Sequence, residues 1–390
     1  MFKKGGYLYY ALGNGMFYFA WAMFACIISV YLAGENCSAT EISLITSASA
    51  LFAMVTQPVC GFLADRFRSP KYVAMITAVL SVITGLAFAY SHSFIALFLF
   101  NGLAQGFLNG ITALTDRLAT ASPYPYGSIR LWGSLFYAVG AQISGIVYDY
   151  ISPRANYYIF AIAILIMLLS FYMMDDAKPI MKEGETTKIT TLEVLKALVH
   201  NKSFMMFMLI YFLFQGASSA QGIYFTLFIQ ELGGSMTLIG TTLFLATMSE
   251  LPMVFFSDKI IKKIPYKWLM IFASVLSLVR FIWYSTCPSP NTVMIMFFFQ
   301  GLTTIVFTLV AVRIILDLVE DKYVNTAYGI SSMLAKGLAA LIFQVICGKI
   351  IDIFGGLQGY VFNYYIYAGI MMICTVLALI FKMPNEKKSG

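Results

Sequence analysis

Five ionisable side chains stand inside long apolar stretches of this sequence: Asp116, Arg130, Glu250, Arg280 and Lys336. A charge held away from water is costly unless it is paired or faces an aqueous cavity, so such residues mark a site by default. Asn109, Thr112 and Asp116 follow an i, i+3, i+7 spacing, which is one face of a helix, and Arg130, Ser134 and Tyr137 follow the same spacing. A carboxylate and a guanidinium on neighbouring helices can make charge-assisted hydrogen bonds to hydroxyl groups. An aromatic ring beside them can cover the apolar face of a sugar or a base. The same two charges could instead form a salt bridge that only fixes helix packing. That plainer role is equally open for Arg280, with Trp283 and Tyr284 as ordinary interface aromatics.

The elements that must position these residues are set by composition. Of 390 residues, 60% are apolar and 11% charged, against about 25% charged in soluble domains, and the mean hydropathy is +0.81. That balance excludes a disordered chain, a nucleic-acid binder and a soluble enzyme of this length. Apolar stretches long enough to span a bilayer run over 7–33, 42–64, 72–91, 94–121, 128–149, 155–174, 204–230, 236–257, 267–286, 292–318, 326–350 and 358–381. Turn-forming and charged residues separate them. The fold class is therefore an all-α integral membrane protein with twelve transmembrane helices. One long separator divides the chain into an N-terminal six-helix bundle (1–174), a cytoplasmic linker (175–203), a C-terminal six-helix bundle (204–381) and a cytoplasmic tail (382–390). Within the linker, TLEVLKALVH reads as a short amphipathic surface helix. The N-terminal stretch, led by Lys3 and Lys4 and lacking a small-residue cleavage site, reads as a retained first helix. The six cysteines show no metal spacing and no CxxC.

Lys and Arg fix the orientation. With the N-terminus inside, all loop and tail basic residues except Arg154 and Lys349 fall on the cytoplasmic side. Both termini are thus expected in the cytoplasm, and the net charge of +7 is an orientation signal with no bearing on nucleic acid. An internal repeat is also visible: Gly61 and Asp65, Gly145 and Asp149, and Gly348 and Asp352 share a G-x-x-x-D pattern at the ends of helices 2, 5 and 11. Asp258 ends helix 8 at the same place, with Val254 where glycine would stand. One mark per three-helix unit, on alternating sides of the membrane, is the inverted-repeat arrangement of a secondary transporter. GFLADRFRSPK (61–71) resembles the loop 2–3 signature of the major facilitator superfamily. There Gly61 would let two helices approach, and Asp65 would pair with Arg66, Arg68 or Lys71 as a cytoplasmic latch.

Beyond that loop the chain is similar to the oligosaccharide:proton symporters typified by the lactose permease, and to the related nucleoside and phenylpropionate permeases. The likeness spans nearly the whole chain: FLNGITALTD, YGSIRLWGSLFY, TMSELPMVFFSDKIIKKI, SLVRF and KGLAALIFQVICGKIID. It implies that Asp116 and Arg130 are the sugar-binding pair and that Tyr137 takes the place of the stacking tryptophan. It also implies that Glu250 joins substrate binding to proton coupling, with Arg280 and Lys336 as coupling residues. Counting without gaps, the family's helix 10 histidine falls on Gln300 and its protonated glutamate on Thr303. The helix 7 aspartates fall on Gln215 and Ser218. Substrate contacts are thus retained and the coupling machinery altered.

The expected function is alternating-access transport of a small polar solute, a sugar or oligosaccharide, with the proton as co-substrate. The expected substrate contacts are Asn14, Asn109, Asp116, Arg130, Tyr137 and Glu250, with proton coupling at Glu250, Arg280, Gln300 and Lys336. The alternatives are a nucleoside or small aromatic acid permease, or a carrier with lost or altered proton coupling. No enzyme motif, P-loop, metal-binding pattern or cofactor site is present in the sequence. The protein is expected to act as a monomer in the lipid bilayer of the inner (cytoplasmic) membrane.

Overall fold

A computed structural model describes residues 4–176, 198, 201–319 and 324–381, without the side chains of 253–263 and 324–326. Apart from Leu198, the surface helix expected in the linker lies outside the described residues, as do Lys3 and the tail. Among the described residues the chain is all helix: α1 (Tyr7–Gly34, broken at Cys26 and Ile27), α2 (Ala39–Arg66), α3 (Pro70–Ala89), α4 (Phe94–Thr120), α5 (Tyr126–Tyr150) and α6 (Ala155–Met173). There follow α7 (Lys202–Glu231), α8 (Met236–Lys263), α9 (Tyr266–Ser285), α10 (Pro290–Leu318), α11 (Ala327–Phe354) and α12 (Gly356–Ile380). All but α8 contain an apolar window sufficient to cross a membrane. Helices dominate because no water in hydrocarbon can satisfy a backbone N–H or C=O, and a helix satisfies its own.

Local sequence sets the helix ends. Ser38 accepts from Glu41 N while Glu41 accepts from Ser38 N at 2.8 Å, a capping box opening α2. Ser69 caps α3, with Pro70 supplying the preset first turn. Asn201 caps α7. The outward faces are the reverse of a soluble protein's: Val55, Ile76, Ile95 and Leu169 each expose more than 60% of their surface. A belt of that kind is a lipid-facing surface.

The chain forms two compact units, one holding α1–α6 together with Gly233–Thr247, the other holding the remainder. In the first, α1 packs on α5 and α6, and α3 on α4 and α6; in the second, α7 packs on α11 and α12, and α9 on α10 and α12. These four pairings recur at corresponding places in the two units, while α2 packs on α4 in the first. Aromatic clusters fill each interior. Phe24 meets Tyr157 and Phe160 at 5.3 Å in the first, and Phe214 stacks on Phe307 at 3.9 Å in the second.

One glycine of the repeat is required by packing and one is not. A Cβ added at Gly145 would lie 2.2 Å from the Met236 carbonyl oxygen, so the start of α8 rests directly on the backbone of α5. Four residues on, the Asp149 carboxylate accepts from Met236 N at 3.2 Å, Thr237 N at 2.7 Å and Thr237 Oγ1 at 2.7 Å. An anion at a helix N-terminus satisfies otherwise unpaired N–H groups and complements the dipole. At Gly61, by contrast, an added Cβ meets nothing within 4 Å, so the close approach expected there is not made. Gly145→Val should lower the thermal midpoint of the purified protein by several degrees, since over-packing costs about 1–3 kcal/mol, while Gly61→Val should leave it unchanged. Equal midpoints for the two variants would contradict the packing described.

Candidate functional site

In the first unit the expected residues converge from α1, α4 and α5. Asn14, Tyr18 and Trp21 lie on one face of α1. The Arg130 guanidinium sits over the Tyr18 ring, 4.2 Å from its centroid, a cation–π contact that steadies the charge without neutralising it. Gly133, one turn along α5, makes room for this arrangement. A Cβ there would fall 2.5 Å from Asn14 Oδ1, 2.6 Å from the Tyr18 ring and 2.9 Å from Arg130 Nη1. Asn14 is buried, and neither its amide oxygen nor its nitrogen has a hydrogen-bond partner among the described residues. Such a group is expensive to bury unless something else satisfies it.

No salt bridge joins Asp116 to Arg130 among the described residues, so the pair is not the simple packing bridge that the sequence left open. Asp116 instead accepts a hydrogen bond from the Tyr126 hydroxyl at 3.1 Å, and Tyr126 also faces Arg130. Asn109 and Thr112 share the Asp116 face as expected, donating to the carbonyls of Gln105 (2.8 Å) and Leu108 (3.2 Å). Tyr137 lies further along α5, where its hydroxyl accepts from Cys26 Sγ at 3.8 Å. Gln105 on α4 accepts from Trp21 Nε1 at 3.1 Å, and the Trp21 ring runs parallel to Tyr18 at 6.2 Å. Gln105, Tyr126 and Gly133 were not among the expected contacts. The i+3 step from Arg130 was the available signal for Gly133.

The second unit holds its charges differently. Arg280 is 2% exposed, and its Nε and Nη1 have no acceptor among the described residues. It lies against the rings of Phe281 (5.0 Å) and Tyr284 (6.0 Å). Glu250 is half-buried and makes no ion pair among the described residues. Lys336 is exposed and stands in a π-helical segment, Met333–Leu338, a local irregularity that recurs at functional sites. Gln300 Oε1 is buried with no hydrogen-bond partner among the described residues, and Thr303 donates to the Gln300 carbonyl at 3.0 Å. The Asp258 side chain lies outside the described residues.

At the α2–α3 loop, the partner of Asp65 is Arg117 on α4, at 2.7 Å. Arg66 and Arg68 are exposed. Lys71 is turned inward, its Nζ donating to the Met174 carbonyl at 3.1 Å, while Lys71 N and the Ser69 hydroxyl donate to Asp176. Arg117 was read as an orientation charge alone. No group of three or more metal-ligating side chains is found among the described residues.

Comparison with known proteins agrees with this architecture. Residues 10–362 match the MFS_1 like family. A maltose permease of Geobacillus stearothermophilus is 27% identical over 380 residues, covering 96% of this chain and 94% of that protein. An uncharacterized transporter of Bacillus subtilis (strain 168), YwbF, is 27% identical, covering 98% and 93%. Among solved structures, a mutant of the nucleoside transporter NupG superposes with a TM-score of 0.86 at 15% identity, covering 96% of this chain and 99% of that one. A twelve-helix chain with repeated pairing, intramembrane charges and a family match over most of its length belongs to the MFS_1 like family: it is a multi-pass membrane transporter of small molecules and not an enzyme.

Proposed function

We propose that this transporter carries a hydroxyl-rich solute of the sugar or oligosaccharide class by alternating access, in symport with a proton. The observation that carries the reading is the unspent charge of the first unit. Arg130 is laid on Tyr18 at 4.2 Å and Asp116 holds only a phenol among the described residues, so both have capacity for ligand hydroxyls. Unpartnered Asn14 adds an amide donor and acceptor beside them. The parallel rings of Tyr18 and Trp21 offer an aromatic surface next to the polar groups, with Tyr137 further along α5. The likeness to a maltose permease supports the same substrate class. A nucleoside is the second reading, favoured by the shape shared with NupG.

Proton coupling is assigned to Glu250, which is half-buried without an ion pair and so can lose and regain a proton as its surroundings change. Arg280 would tune that carboxylate during the transport cycle, with the chain organised as two six-helix bundles, 1–174 and 204–381. Asp65, with Arg66, Arg68 and Lys71 beside it, belongs to a cytoplasmic latch on this reading. The protein would act as a monomer in the inner membrane with both termini in the cytoplasm.

Uptake of labelled maltose, sucrose, raffinose and uridine into proteoliposomes, with and without an imposed pH gradient, tests both parts. A saccharide should accumulate only when the outside is acid. Accumulation of uridine alone would move the substrate class to nucleosides. Arg130→Lys should lose at least about tenfold in apparent affinity, because an ammonium cannot reproduce a planar two-pronged contact. Gly133→Ala should raise KM by displacing Asn14, Tyr18 and Arg130 together. Glu250→Gln should abolish gradient-driven accumulation while leaving downhill exchange. Unchanged coupling in Glu250→Gln would remove it as the proton carrier.

A further inference from the structure

Asp116 is half-buried on α4, where a carboxylate needs a partner. The nearest cation in the sequence, Arg117, is committed to Asp65 at 2.7 Å. Arg130 lies over the face of Tyr18 and makes no salt bridge to Asp116 among the described residues. The side chain that donates to the Asp116 carboxylate is Tyr126, at 3.1 Å. Tyr126 is the first residue of α5 and is 40% exposed. It follows a turn, Ala121–Pro125, and is not locked into the interior, so its phenol can swing away without disturbing either helix. Chemically the contact is an O–H donating to a carboxylate, the same bond a sugar hydroxyl would make there.

From this geometry we propose that Tyr126 competes with the solute for Asp116: its phenol is an internal hydroxyl that a ligand hydroxyl displaces on binding. The competition rests on the reading of Asp116 as a solute contact. It gives the carrier a way to hold a buried carboxylate satisfied at each stage of the cycle, since one hydroxyl replaces another. It also sets affinity below the maximum the site could reach, which favours release on the far side of the membrane. A purely structural role for Tyr126 predicts the opposite sign, because losing a support for Asp116 would weaken binding.

Titration calorimetry on the purified full-length protein with maltose, sucrose, raffinose and uridine separates these outcomes. For the solute that binds, Tyr126→Phe should tighten binding by about three- to tenfold, within what one hydrogen bond to a charged group can supply. The gain should vanish in an Asp116→Asn background, where the carboxylate is gone. Should Tyr126→Phe fold poorly, Tyr126→Leu reads the same outcome. Binding that is weaker or unchanged in a folded variant overturns the competition alone. Wild-type protein that binds none of the four solutes overturns the proposed substrate class and the competition with it.

Discussion

The controlling constraint on this molecule is that a charge inside the bilayer must find local compensation, because bulk water is not there to supply it. Each charge of the first unit meets the demand in a different way. Asp65, at the end of α2, takes an ion pair with Arg117. Asp149 is satisfied by three donors at the start of α8. Asp116 takes one phenol, and Arg130 takes the face of one ring. The first two charges lie at helix ends, and Asp149 with its three donors ties α5 to the start of α8. The second two are only partly compensated, so they retain hydrogen-bonding capacity that a solute can use. On the proposed reading, solute binding draws on that inequality more than on the number of charges.

The helices serve this arrangement by bringing backbones close where side chains must meet. Gly133 leaves room for Asn14, Tyr18 and Arg130 at one point. Trp21 and Gln105 tie α1 to α4 beside it. In the second unit, Arg280 is enclosed by aromatic rings with no acceptor on two of its nitrogens among the described residues. A buried guanidinium in that state is a strong driving force for any rearrangement, or any anion, that would pair it. Lys336 lies on a π-helical turn, where the helix register changes within six residues. Such a turn lets a side chain be redirected by a small backbone adjustment.

Much of this was legible in the chain itself. The boundaries of α1 to α12 follow hydropathy because lipid demands long apolar helices and leaves few other options. Asp116, Arg130, Glu250 and Arg280 stood out because charge is rare there. Tyr126 was hidden by its surroundings, since SPYPYGS reads only as a turn between two helices. Arg117 was hidden beside Asp116, because a basic residue at a cytoplasmic helix end already had an explanation in the orientation rule. The glycine pattern gave the repeat but not which copy is packed: Gly145 touches α8, while a Cβ at Gly61 would meet nothing within 4 Å among the described residues. Spacing along one helix cannot tell what the next helix presents.

The central claim, that partly compensated charges on α4 and α5 form the solute site, is tested most directly by a density map of the protein with a bound solute from the class it transports. The account predicts solute hydroxyls within hydrogen-bond distance of Asp116 and Arg130, with the sugar ring beside Tyr18 or Trp21. A solute held by other residues, with Asp116 still on Tyr126 and Arg130 still on Tyr18, would contradict it.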